Sequence, residues 1–207
     1  VCGGKPRGKL RISAPLLFSQ TAMGKTGCLE VTTDDRTVDL VEEGYDLVIR
    51  VNPDPDESLV GRIFLRDRLV VVASPTLARP SLARPKGDAA APAVVRGGMG
   101  RTSASAVTTP AGKASIAVDP VLSLSSLVMV RDAVRAGVGA ALLPISLVSH
   151  DLAAGQLVKW GDVEGPDIAS WTLYPSRRLL SARVTAFLDH LRESFPQGTP
   201  GELAAYI

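Results

Sequence analysis

Few side chains in this 207-residue sequence could carry reaction chemistry. There are two histidines, His150 near the end of an expected helix and His190 on the polar side of the last one, and their placement supplies neither a zinc site nor a serine triad. Cys2 and Cys28 have no CxxC spacing, so they form neither a disulfide framework nor a metal knuckle. No G-x-S-x-G elbow, G-x-x-x-x-G-K-[ST] loop or H-E-x-x-H helix occurs. GVG at 137 to 139 follows a helix and precedes a strand, the reverse of the order that a dinucleotide-binding turn requires. RGGMGRTS (96 to 103) offers backbone amides but no Walker lysine. One oddly placed charge remains. In VDLVEEGYDLVIR (38 to 50) the apolar run Leu47-Val48-Ile49 ends on Arg50, a permanent cation whose planar fork of N–H donors suits carboxylate or carbonyl oxygens.

The elements around Arg50 say where it must stand. Val38 and Val41 sit three apart among Asp39, Glu42 and Glu43, and Gly44 can take the left-handed conformation that closes a helix. A near-continuous Val/Ile/Leu strand then follows, of the kind buried on both faces of a parallel sheet. Arg50 therefore falls at the carboxyl edge of that strand. KLRISA (9 to 14), LEVTT (29 to 33), DLVIRV (46 to 51) and RLVVVAS (68 to 74) read as four strands of one α/β arrangement. NPDPDES between the last two reads as an exposed turn.

From Pro75 to Gly112 the composition shifts to Pro, Ala, Gly and Ser, which places a domain transition near Ser74. Short strands are expected at 93 to 95, 115 to 118 and 121 to 124. A helix follows over SSLVMVRDAVRAG, with Leu127, Val130, Ala133 and Val134 on one face, Ser125 and Ser126 as caps, and Gly137 as the stop. VGAALLP is a buried strand and Trp171 to Tyr174 another. In SARVTAFLDHLRESF, Val184, Phe187, Leu188, Leu191 and Phe195 form the clearest amphipathic stripe, followed only by a Pro/Gly tail. That helix needs a sheet to cover, and the early strands are the nearest. The chain thus goes out into a second lobe and returns, which predicts two α/β lobes with a cleft at the carboxyl ends of their strands.

Composition excludes several classes. A 45% hydrophobic content supplies a core, and a net charge of +2 is too small to mark a nucleic-acid surface. Lys5, Arg7, Lys9 and Arg11 lie among glycines and a proline, as in a solvated linker end. The most apolar long window, GVGAALLPISLV, is too short to span a bilayer and contains Pro144, and no signal peptide is visible. No cofactor and no metal site is expected, and a reducing, cytoplasmic compartment fits the cysteine usage.

KLRISAP, TVDLVEEGYDLVIRV, RLVVVASPTLA, VRAGVGAALLP, GQLVKW and YPSRRLLSARVTAFLDHL, in that order, resemble the effector-binding (regulatory) domain of LysR-type transcriptional regulators, from Lys9 to Arg192. The resemblance implies two Rossmann-like lobes joined by two crossover strands, similar to type 2 periplasmic binding proteins. Residues 1–8 would be the end of a linker from a missing DNA-binding domain, 9–74 with 175–207 lobe I, and 75–174 lobe II. It also implies no catalysis. A small-molecule effector, acidic by the residues below, would bind in the cleft, and DNA would be met only through an N-terminal winged helix-turn-helix. The full-length protein would be a homodimer or homotetramer. A solute-binding protein of a transporter shares the architecture and is the alternative.

Carried over position by position, the implied effector site comprises Pro15, Leu16 and Phe18 after the first strand, Asp34 after the second, and Arg50 and Val51 at the end of the third. In the other lobe it comprises Arg96, Gly97, Ser125 and Ser126. Each has a plainer reading. Arg50 could pair with Asp34 or Asp54, Ser125 and Ser126 could only cap their helix, and Phe18 could belong to the core. The family's long pairing helix between the first two strands has little room here, since only Ser19 to Cys28 separates Phe18 from Leu29.

Overall fold

Short apolar runs near the start of the chain become adjacent parallel strands. The computed structural model describes residues 10–21, 29–33, 43–54, 59–78, 90–97, 104–110, 112–175 and 180–207. The chain divides into two units: unit 1 is Val1–Arg66 with Ile168–Ile207, and unit 2 is Asp67–Asp167. Residues 38 to 42 of the expected helix and the linker end at 1 to 8 lie outside the described residues, but Gly44 does have the positive φ (69°) of a helix stop.

In unit 1, β1 (Leu10–Ala14) pairs in parallel with both β2 (Leu29–Thr33) and β3 (Leu47–Val51). Two further strands, β4 (Leu59–Asp67) and β11 (Ile168–Pro175), extend the described sheet to the order β2-β1-β3-β11-β4, with β11 antiparallel to β3. A six-residue helix, α1 (Leu16–Thr21), leaves β1, and the amphipathic helix α4 (Ala182–Ser194) buries Val184, Phe187 and Leu191. These pack with Leu10, Ile12, Leu47 and Ile49 of the parallel strands, as the need for a partner sheet requires. Each large apolar side chain so buried contributes about 1.5–3 kcal/mol relative to exposure.

The tail after α4 is not irregular. It folds into α5 (Pro200–Ala204), whose Glu202 carboxylate accepts the backbone N–H groups of Gln197 at 3.0 Å and Thr199 at 2.9 Å. Leu203 and Ala204 are thereby carried into the core. The Pro/Gly composition concealed a T-x-x-E cap with proline in the first turn.

Unit 2 holds the sheet order β6-β8-β7-β10-β5-β9 among the described strands. Its strands are β5 (Leu69–Ala73), β6 (Ala91–Arg96), β7 (Ala104–Thr109), β8 (Gly112–Leu124), β9 (Ala141–Pro144) and β10 (Val158–Val163). The run Leu69–Ala73 was expected to join the first parallel set. Instead it lies between β9 and β10 and is antiparallel to both. An apolar run reports burial on both faces, and an interior antiparallel strand meets that condition equally well. For the same reason the chain passes between units at Arg66/Asp67 and Asp167/Ile168, about one strand before each composition change. The expected pieces at 115 to 118 and 121 to 124 are one strand, β8, whose Pro120 sits beside the register shift in its pairing with β6.

Helices α2 (Leu127–Arg135) and α3 (Ile145–Ala153) complete unit 2. Helix α3 starts on Pro144, which offers no side-chain cap. Asp67 supplies one from a distance. Its Oδ2 accepts the Ser146 hydroxyl at 2.5 Å and its Oδ1 the Arg68 N–H at 2.7 Å. Burial pushes the Asp67 carboxyl above its ordinary range, against the lowering effect of the Ser146, Arg68 and Ile145 hydrogen bonds.

The GVG triplet has a structural explanation. Gly137 (φ 80°) ends α2, with its N–H on Val134 O at 2.9 Å and that of Val138 on Ala133 O at 3.1 Å. A Cβ on Gly139 would stand 2.7 Å from Pro92 O, where backbone bonds of 2.8 Å join Ala140 to Pro92 and Val94 to Ala140. Gly139→Ala is therefore expected to lower stability by about 1–3 kcal/mol, read as a lower urea midpoint; an unchanged midpoint would show that these strands separate freely.

Candidate functional site

The residues singled out above fall into two groups, each at the carboxyl end of a pair of neighbouring parallel strands. In unit 1 the pair is β1 and β3, in register at Ile12↔Leu47 and Ser13↔Val48. Arg50 reaches back across this pair. Its Nη2 donates to Ser13 Oγ at 2.9 Å, and its Nη1 to Ser13 O at 3.3 Å and Ile49 O at 2.7 Å. Ser13 is fully buried and Arg50 half-buried. Hydroxyl and carbonyl acceptors hold the guanidinium in one orientation. The plane of the fork is therefore fixed by the sheet itself.

Pro15 and Leu16 stand beside this edge, both half-buried, where Pro15 O accepts the Ser19 N–H at 2.9 Å to open α1. Val51 is 46% exposed. Phe18 turns the other way. It is buried, with its ring edge-on to Phe64 at 5.5 Å and near Phe195 at 6.0 Å, so its place is the core of unit 1. Asp34 lies outside the described residues.

In unit 2 the pair is β6 and β8, with Arg96 opposite Leu124 and the Gly97 N–H on Leu124 O at 2.8 Å. Arg96 is half-buried and Gly97 exposed at this edge. Immediately after Leu124 the chain enters α2. Ser126 is the N-cap, buried, and its hydroxyl accepts the Val128 N–H at 3.3 Å. Ser125 is exposed. The first turn of α2 carries no acidic side chain, so the positive end of the helix dipole is not offset from within the turn. Ser126→Ala should cost about 1 kcal/mol of unit 2 stability through loss of the cap, measurable as a shift in chemical denaturation; no shift would mean that the 3.3 Å bond contributes nothing.

Two contributors were not anticipated. Ser13 is a small polar residue inside an apolar strand, and only its pairing across 37 positions shows what it holds. Asn52 takes a left-handed conformation (φ 43°) just after Val51, with its N–H on Ala169 O at 2.9 Å and its Oδ1 accepting the Ala169 N–H at 2.8 Å. An Asn before Pro53 was a readable turn signal, since Asn tolerates that region better than most residues.

Each group by itself offers hydrogen-bond donors and an arginine, chemistry suited to an anion. Among the described residues no cluster of three His, Cys, Asp or Glu side chains could hold a metal ion, and no helix is long and apolar enough to cross a membrane.

Comparison with known proteins adds to this. A family model described as the LysR substrate binding domain matches residues 28–196. The chain is 27% identical over 206 residues to the HTH-type transcriptional regulator PtxR of Pseudomonas aeruginosa, covering 92% of this chain and 65% of that protein. It is 28% identical over 173 residues to the uncharacterized HTH-type transcriptional regulator YhjC of Escherichia coli, covering 79% and 56%. It thus spans less than two thirds of either relative. Among solved structures, the regulatory domain of CrgA, a LysR-type transcriptional regulator from Neisseria meningitidis, superposes with a TM-score of 0.73 at 20% identity, over 92% of this chain and all of that one. The regulatory domain of AphB in Vibrio vulnificus gives 0.64 at 23%, over 90% and 98%. These likenesses establish the fold, the two-lobed arrangement similar to type 2 periplasmic binding proteins.

Proposed function

The chain belongs to the LysR substrate-binding domain family, and from that premise we propose that the ligand it senses is a small carboxylate held by Arg50. The observation that carries this reading is the Arg50 guanidinium, locked by Ser13 at the carboxyl ends of β1 and β3. A fork whose plane is already set loses little orientational freedom when a carboxylate arrives, so more of the hydrogen-bond energy appears as affinity. Pro15, Leu16, Val51 and Asp34 would complete the unit 1 side. Arg96, Gly97, Ser125 and Ser126 would contribute from unit 2, where the start of α2 favours negative charge. Phe18 would act from behind by packing α1.

Binding would favour one arrangement of the domain over another, and an attached DNA-binding part of the longer protein would read that change. On this reading the domain performs no reaction, works in the cytoplasm, and belongs to a homo-oligomer in the whole protein. The transporter alternative is not favoured, because the curated relatives that match are transcriptional regulators.

The test is a thermal-shift screen of small aliphatic and aromatic carboxylates against the 207-residue chain. A specific ligand at about 100 times its Kd should stabilise the fold by ~2.7 kcal/mol, seen as a rise of several degrees. If amides and alcohols of the same skeletons shift the melting temperature as much as the acids do, the carboxylate reading fails.

A further inference from the structure

The sheet face of unit 1 that carries Arg50 also carries an indole ring. In the register of β3 with β11, Arg50 stands directly opposite Trp171, and Val48 opposite Leu173. Residues opposite one another in an antiparallel pair project from the same face, with Cβ atoms about 4.5–5.5 Å apart. Ile49 and Tyr174 alternate with them and belong to the core that α4 covers. Arg50, Trp171, Val48 and Leu173 therefore share the other face with Ser13, whose hydroxyl holds the Arg50 fork.

On that face the two groups lean apart. The guanidinium is drawn toward β1, where Ser13 Oγ accepts from it at 2.9 Å and Ser13 O at 3.3 Å. The indole is drawn toward β4, on the far side of β11. A Cβ on Gly61 would stand 3.0 Å from Trp171 Cε3 and 3.2 Å from its Cζ3, so the half-buried ring lies against bare glycine backbone that any side chain would displace it from. Adjacent strands are about 4.8 Å apart, so one to two strand spacings, roughly 5–10 Å, separate the fork from the ring. Buried Val48 and half-buried Leu173 stand behind both, one pair further from the strand end. The fork is thus one side of a short apolar surface whose other side is a flat aromatic wall.

A saturated body on the acid would gain from such a wall by burial alone. A flat π-system gains the offset-stacked or edge-on contact as well, worth a further three- to tenfold or so in affinity. We propose that Trp171 is a specificity-determining residue of the Arg50 site, selecting carboxylates whose body is an aromatic ring over saturated ones of the same size. This rests on the reading of Arg50 as the group that holds the acid.

The probes are benzoate and cyclohexanecarboxylate, which share size and charge and differ in flatness, titrated calorimetrically into the 207-residue chain. The parent should bind benzoate about fivefold more tightly. That ratio should fall to near one in Trp171→Leu and survive in part in Trp171→Phe, while Arg50→Ala weakens both acids alike. A purely structural role for Trp171 on Gly61 would change the two affinities together and leave their ratio intact, even where the unliganded melting temperature falls. Emission gives a second readout, because the other tryptophan, Trp160, is buried in the core of unit 2: benzoate should perturb the Trp171 signal more than cyclohexanecarboxylate does at equal occupancy. The proposal is overturned if the parent shows no preference, if the ratio is unchanged in Trp171→Leu, or if neither acid binds at millimolar concentration. The first two outcomes leave Arg50 as the holder of the acid. Equal binding by the parent and Arg50→Ala would instead remove the Arg50 reading, and this inference with it.

Discussion

Arg135→Ala should destabilise unit 2 by about 3 kcal/mol, the largest loss expected from any single surface-reaching side chain among the described residues. Arg135 belongs to α2 and donates through Nε to Asp151 Oδ1 of α3 at 2.9 Å, with Nη2 on the same oxygen. Asp151 is 1% exposed, and its Oδ2 has no hydrogen-bond partner. Removing the guanidinium would leave a buried carboxylate with neither counter-charge nor solvent. The estimate sits at the lower end of the usual 3–5 kcal/mol for breaking a buried pair, because the Arg135 side chain is 37% exposed and its attraction to Asp151 is partly screened by solvent. Urea denaturation of the single variant, of Asp151→Asn and of the double variant would measure it. The double variant should recover part of the loss, since an amide has no charge to strand. A single variant within about 0.5 kcal/mol of the parent would show that solvent reaches Asp151.

Arg50→Ala should abolish the melting-temperature rise produced by any carboxylate ligand. Losing a charge-assisted fork weakens binding by roughly a hundredfold, enough to cut the ligand-linked stabilisation from ~2.7 to ~0.4 kcal/mol at the concentrations of the screen. Arg50→Lys separates charge from shape: the ammonium keeps the cation but not the planar pair of donors, so most of the response should still be lost. Ser13→Ala leaves the guanidinium present and removes its 2.9 Å anchor, which should give an intermediate loss. If the parent and Arg50→Ala respond equally to an acidic ligand, Arg50 is a structural strap between β1 and β3, and the site must be sought elsewhere.

The arrangement around Arg50 was legible because it rests on local rules. An apolar run of strand length, a preceding glycine with positive φ and a charge at the end together require a strand edge, and β3 ends at Val51 as that reading demands. The Ser126 cap and the stripe of α4 were legible for the same reason, each being decided within a few residues. Strands β4, β7 and β10 were not anticipated. LVGRIFLRD is interrupted by Gly61 and two arginines, and Gly61 is there because a Cβ would press within 3.0 Å of Trp171 and Leu173, residues more than a hundred positions away. ASAVTT and VKWGDV carry too little apolar alternation to announce themselves, and neighbouring strands supply most of the reason they are extended.

Taken by itself, the amino-acid order determined what neighbours along the chain can settle: which runs are extended or helical, where glycine and serine stop or start them, and that two α/β lobes are built. Only the tertiary structure decided which distant groups meet. Ser13 holds Arg50, Asp67 caps a helix 79 positions later through Ser146, and Asp151 takes Arg135, while Phe18 is drawn into a core it shares with Phe64 and Phe195. Local pattern specifies that a polar group will be buried or an apolar one covered. Its partner is chosen by strand order and register, which depend on the packing of the whole unit.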